Sequence, residues 1–89
     1  MSYSVLYTED CYKSLKKLDK YTRRFLLSWI AKNLVCCDDP RRHGKQLSAN
    51  RAGQWRYRVG DYRLLAEIDD DKITILMIAI GHRRDIYDK

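Results

Sequence analysis

Arg56, Arg58 and Arg63 are the side chains of this sequence best suited to chemistry, two on alternate positions and the third just beyond Gly60-Asp61. A guanidinium is a planar fork of donors that grips a phosphate through paired, charge-assisted hydrogen bonds, a geometry lysine cannot copy. The C-terminal run Gly81-His82-Arg83-Arg84-Asp85-Ile86-Tyr87 adds two more guanidiniums, an imidazole and a phenol. Of these groups, only an imidazole ordinarily titrates between pH 5 and 8, so His82 could serve as general acid or general base, or it could simply close a strand end. Arginine is awkward in either role because its ordinary pKa lies far above neutrality. A dense cationic cluster shifts it in the useful direction.

The elements around these residues decide whether they meet. Trp55, Tyr57 and Val59 alternate with Arg56 and Arg58, the period of a half-buried strand. Gly60-Asp61 has glycine first, as a type II′ hairpin turn requires. A two-residue turn there sets Val59 against Tyr62, Arg58 against Arg63, Tyr57 against Leu64 and Arg56 against Leu65. Tyr62–Asp69 and Lys72–Ile80 read as two further strands joined at Asp69-Asp70-Asp71, pairing Leu64 with Met77, Ala66 with Ile75 and Ile68 with Ile73. Trp55, Tyr57, Val59, Leu64, Ala66, Ile68, Ile73, Ile75 and Met77 then share a core face. Arg56, Arg58 and Arg63 share the other, and the C-terminal run begins beside them. Like charges placed opposite one another cost some tenths of a kcal/mol, so the arrangement points to an anion. The plainer alternative is a solvated face whose arginines pair with Glu67 or an aspartate. A one-residue slip would reverse every side chain and undo the cluster.

Upstream, Tyr3–Tyr7 predicts a short first strand. Thr8 predicts the cap of a helix carrying Cys11, Leu15 and Leu18 on one side and Lys13, Lys16, Lys17 and Lys20 on the other. A second helix from about Tyr21–Thr22 carries the stripe Phe25, Leu26, Trp29, Ile30 and Leu34 and ends by Asp39, ahead of Pro40. Asp39–Gly53 reads as loop. The order is β-α-α-β-β-β: an α+β domain spanning residues 1–89, two N-terminal helices packed on a mostly antiparallel sheet. The outer sheet face also presents Leu65, Leu76, Ile78 and Ile80, an apolar patch of the kind that marks a partner surface, unless the chain's own ends cover it.

Lys+Arg outnumber Asp+Glu by 18 to 12, a net charge of +6. A small basic domain attracts polyanions, because neutralised phosphates release counterions. The lysine stripe fits contact with nucleic acid and equally an ordinary solvated face. Cys11, Cys36 and Cys37 are odd in number and lack paired spacing, which argues against a disulfide framework and a zinc site and suggests small buried hydrophobes. Met1–Thr8 lacks the pattern of a signal peptide, and the longest apolar run, Ile73–Ile80, falls far short of the ~20 residues of a membrane span. A cytoplasmic location is the expectation.

The run Trp55-Arg56-Tyr57-Arg58-Val59-Gly60-Asp61-Tyr62-Arg63-Leu64, the run Gly81–Tyr87 and the order of elements together resemble a RelE-type toxin of the RelE/ParE superfamily from bacterial toxin–antitoxin pairs, over essentially the whole chain. The resemblance implies the RelE-like ribonuclease fold and a ribosome-dependent endonuclease that cuts messenger RNA in the decoding site. It further implies a RelB-like antitoxin partner, with the ribosome, messenger and ribosomal RNA as its other contacts. In such toxins the messenger's 2′-OH attacks the adjacent phosphate and leaves a cyclic phosphate, with no cofactor and no metal. By the same resemblance Arg63 stabilises the phosphate and Arg83 is a candidate donor to the leaving oxygen. Arg56 and Arg58 occupy two basic positions of which one helps deprotonate the 2′-OH, and Tyr87 orients the substrate. Lys13, Lys16, Lys17, Lys20, Lys45, Arg51 and Arg84 are the expected RNA-binding cations. Relatives often carry a basic residue after the leucine preceding the hairpin; here Ser48 follows Leu47, leaving Lys45 or Arg51 to supply that charge. The alternatives are a ParE-like toxin that inhibits DNA gyrase without cutting RNA, and a non-catalytic nucleic-acid binder.

Overall fold

The computed structural model describes residues 2–46 and 54–82. Strand β1 (Ser4–Tyr7) leads into helix α1 (Glu9–Lys17), whose cap is Thr8: its Oγ1 accepts the Cys11 N–H at 3.1 Å. Glu9 and Asp10 lie in the first turn and Lys16 and Lys17 in the last, each matched to the nearer end of the helix dipole. Leu18 leaves the helix in an extended conformation, and Asp19 starts another. The Asp19 carboxylate accepts the Thr22 N–H at 3.1 Å and the Thr22 hydroxyl at 2.6 Å, opening α2 (Lys20–Asn33). Lys20 therefore belongs to α2 and not to the lysine stripe of α1. Helix α2 ends well before Pro40, with Cys36 in the left-handed region at φ 61°. Cys36 N–H donates to the Tyr3 carbonyl and Tyr3 N–H to the Cys37 carbonyl, both at 2.9 Å, which lashes the chain after α2 to the start of β1.

Four strands follow: β2 (Gly44–Gln46), β3 (Gln54–Val59), β4 (Tyr62–Asp69) and β5 (Thr74–His82). The sheet order is β1-β5-β4-β3-β2, with β1 parallel to β5 and the other neighbours antiparallel. Strand β2 lies inside the stretch expected to be loop, so among the described residues the sheet has five strands rather than four. The β3–β4 register is the expected one, Val59 opposite Tyr62 and Arg58 opposite Arg63. Gly60 has φ 61° while Asp61 stays out of the positive region, as a type II′ turn demands.

The β4–β5 register differs from expectation by two residues: Ile68 pairs with Ile75 and Ala66 with Met77. The turn holds Asp70 to Ile73, with Ile73 left-handed at φ 54°. Asp69 Oδ1 accepts the N–H groups of Asp71 and Lys72 and satisfies this longer turn. A shift of two keeps each side chain on its face, so the core is as anticipated up to a bulge beside Leu65/Ala66, except that Ile73, expected on the core face of a strand, falls in the turn and is half-buried. Past the bulge, Leu64 pairs with Ile80, which packs on the core rather than the outer face.

Cys11, Leu15, Leu26, Ile30 and Leu34 from the helical side meet Tyr57, Val59, Leu64, Ala66, Ile68, Ile75 and Met77 of the sheet, all buried. Phe25, expected in the stripe, is 46% exposed and lies over Gly60 at the hairpin turn. Of the cysteines, Cys11 is buried, Cys37 half-buried and Cys36 exposed. Burial pushes the Cys11 thiol up to about 11. None of the described helices is long and apolar enough to cross a membrane.

Candidate active site

The segment between α2 and β2 is tied down at two points before it reaches the sheet. The buried Tyr57 hydroxyl donates to the Pro40 carbonyl at 2.7 Å, and burial holds that phenol well above its ordinary pKa, so it stays a donor. The Arg41 guanidinium makes a two-pronged pair with Asp70, 3.1 Å on each arm, while lying 5.6 Å from the Trp55 ring centre. Asp70 also accepts from the Tyr3 hydroxyl at 2.7 Å, and these two donors hold its carboxyl below its ordinary range. Residues 42–45 are thereby delivered to the edge of β3.

There Gly44 pairs with Tyr57 and Lys45 with Arg56. A cleft of about 320 Å³ opens on this edge, lined by Arg42, His43, Gly44, Lys45, Arg56 and Arg58. The His43 ring makes an edge-on contact with Trp29, 6.1 Å between centres. Four cationic side chains and an imidazole thus surround a space large enough for a phosphodiester. Such a set can hold an anion by charge and by directed donors, and it includes an imidazole, the side chain type most often used for proton transfer.

Arg63 lies next to Arg58 across the β3–β4 pair, on the face away from the helices. It is 3% exposed, the one charged side chain buried among the described residues, and its Nη1 donates to the Tyr62 carbonyl at 3.3 Å. The structure therefore brings Arg56, Arg58, Arg63 and Lys45 together, as the sequence suggested. His82 lies at the end of β5 opposite Tyr62, with Gly81 opposite Arg63 as expected; the His82 and Tyr62 rings are 5.5 Å apart, and Tyr62 packs on the core side. His82 does not line the cleft. Lys13, Lys16 and Lys17 are exposed on α1, which packs against β5, away from the β2–β3 edge. Lys13 pairs with Glu9 at 3.9 Å, Lys16 lies over the Tyr12 ring at 5.4 Å, and Lys20 is exposed at the start of α2. Arg51, Arg83, Arg84 and Tyr87, with Leu47 and Ser48, lie outside the described residues.

Sequence reasoning missed Arg42 and His43. The available signal was the cationic run Arg41-Arg42-His43 ending on Gly44, the residue that permits close strand approach.

Residues 5–87 match the family model of the ParE toxin of type II toxin–antitoxin systems. The chain is 34% identical over 87 residues to the toxin RelG of Mycobacterium tuberculosis, covering 98% of both chains. It is also 29% identical to a putative RelE-like toxin protein of Escherichia coli, covering 98% of this chain and 92% of that protein. Among solved structures, the RelBE2 toxin–antitoxin complex of M. tuberculosis superposes with a TM-score of 0.82 at 32% identity, over 96% of this chain and 95% of that one. RelE of E. coli in the free state shares the fold with a TM-score of 0.77 at 21% identity, over 98% and 90%.

Proposed function

Because the chain belongs to the ParE toxin family of type II toxin–antitoxin systems, as a RelE-type member of the RelE/ParE superfamily, we propose that it is an endoribonuclease that cuts messenger RNA in the ribosomal A site and so stops translation. The observation that carries this reading is the cleft of Arg42, His43, Lys45, Arg56 and Arg58, with Arg63 beside Arg58 on the same sheet face.

The chemistry follows from that charge. Attack by the 2′-OH on its own phosphodiester builds negative charge on the non-bridging oxygens. Arg56 and Arg58 reach those oxygens from β3, Lys45 adds charge from β2, and Arg63 supports them from β4. The products are a 2′,3′-cyclic phosphate and a 5′-hydroxyl end, formed without a metal. Arg83 and Tyr87 complete the site, as proton donor to the leaving oxygen and as a platform for the substrate. Arg51 and Arg84 bind RNA nearby, and Lys13, Lys16, Lys17 and Lys20 meet ribosomal RNA. A RelB-like antitoxin restrains the toxin, and the cytoplasm, where translating ribosomes are found, is its place of action.

The test is messenger cleavage in a purified translation system mapped by primer extension, for wild type, Arg58→Ala and Arg63→Ala. Cuts in register with the A-site codon, lowered by about 10²-fold or more in the arginine variants, are expected. Intact messenger together with blocked gyrase supercoiling would replace this reading with a gyrase poison. RNA binding without cleavage or gyrase inhibition would leave a non-catalytic binder.

A further inference from the structure

A 2′-OH needs a base, and the arginines of the cleft are poorly suited to be one at neutral pH. The chain has two histidines. His82 pairs with Tyr62, which packs on the helix-covered side of the sheet, and does not line the cleft. His43 lines it, is exposed to solvent, and faces Arg42 and Lys45 from its own segment and Arg56 and Arg58 from β3. From α2 it meets the uncharged Trp29.

We propose that His43 is the general base of this site, an inference that rests on the nuclease reading above. Its neighbours hold it there. On one side, Trp29 limits the swing of the ring. On the other, Gly44 presses against β3 so closely that the backbone next to His43 has little freedom. Solvent access lets the imidazole return its proton after each turnover.

With the phosphate held by Arg56 and Arg58, an imidazole nitrogen of His43 takes the 2′-OH proton as the oxygen's electron pair forms the O2′–P bond. The P–O5′ bond breaks and its pair leaves with the 5′-oxygen. That oxygen receives its proton from the donor assigned above, and the imidazolium's proton passes through water to the spent donor. The sum is a transesterification with His43 restored.

The experiment measures single-turnover cleavage of messenger on programmed ribosomes for wild type, His43→Gln, His43→Ala and His82→Gln, between pH 5.5 and 8. Wild type and His82→Gln should share a rate that rises with pH. His43→Gln should be slower by about 10²–10⁴-fold, with a flattened profile. RNA affinity and thermal unfolding should stay near wild type. Added imidazole should restore part of the rate to His43→Ala but not to wild type treated alike. If His43→Ala unfolds, His43→Asn replaces it in the pH series. A His43 variant that keeps the wild-type rate and pH profile overturns the inference. So does one slowed equally at every pH and not rescued by imidazole. A wild-type protein that leaves messenger intact overturns the nuclease reading first, and that outcome is distinguishable because it does not depend on the variants.

Discussion

A Cβ on Gly44 would stand 2.5 Å from the Arg56 carbonyl oxygen and 2.5 Å from Cδ1 of Trp55, well inside van der Waals contact. The carbonyl is backbone in the middle of β3 and cannot swing aside, so relief requires β2 to move off the sheet. Lys45 and His43 flank this glycine and would travel with it. Gly44→Ala is therefore expected to cost about 1–3 kcal/mol, the usual range for forced overpacking. For a domain of this size that lowers the unfolding midpoint by roughly 4–8 °C per kcal/mol. The same variant should lose affinity for a short RNA that Arg56 and Arg58 alone do not restore. Differential scanning calorimetry and fluorescence anisotropy check the two halves separately. An unchanged midpoint would mean that β2 is not held against β3 as described.

At the scale of elements, the turn joining β4 to β5 does two jobs: it sets the register of β5, and Asp70 within it anchors the segment ahead of β2 through Arg41. The Asp70 carboxyl is held below its ordinary range first by the Arg41 hydrogen bonds and then by Tyr3. A depressed folded-state pKa means the stabilisation is present above the ordinary carboxylate range and is lost as pH falls through the folded value. Wild type should thus unfold at a higher temperature than Asp70→Asn at pH 6. The gap should narrow as pH falls below the ordinary aspartate range. A gap that is constant with pH would show that the ion pair contributes nothing. This turn also marks where the sequence stopped being legible. The β3–β4 hairpin could be read because Gly60-Asp61 admits one tight turn and the strands beside it alternate strictly. The acidic turn Asp70–Ile73 admits several lengths, and Ile73 in the left-handed region is something its side chain argues against. Strand β2 has no apolar alternation to reveal it: it exists because β3 offers an edge and Gly44 fits against it. The arginines of the site were legible because they sit on regular strands. Arg42 and His43 were not, because the anchors that deliver them, Tyr57 to Pro40 and Arg41 to Asp70, are contacts between distant parts of the chain.

Across the whole molecule, charge is divided between two surfaces that serve different parts of one polyanionic target. The helices cover one face of the sheet and carry Lys13, Lys16 and Lys17, while the cleft cations sit at the far edge formed by β2 and β3. A short single-stranded RNA lying in the cleft meets Arg42, Lys45, Arg56 and Arg58 and not the lysines of α1. Counterion release for single strands gives a slope near −0.7 per neutralised phosphate, so log affinity against log salt should fall with a slope of roughly −3 if all four cations engage. Arg58→Ala, on an exposed strand position, should make that slope shallower by about 0.7, whereas Lys13→Ala with Lys17→Ala should leave it unchanged. On the ribosome the order should differ, because a surface of folded RNA can reach α1 as well. There the double lysine substitution should weaken binding and make the dependence on salt shallower than that of wild type. Anisotropy with a short oligonucleotide and pelleting with ribosomes, both across a potassium chloride series, measure the two slopes. If the α1 lysines altered the oligonucleotide slope as much as Arg58 does, the net charge of +6 would be acting as a diffuse cloud. The cleft would then have no special claim on the messenger.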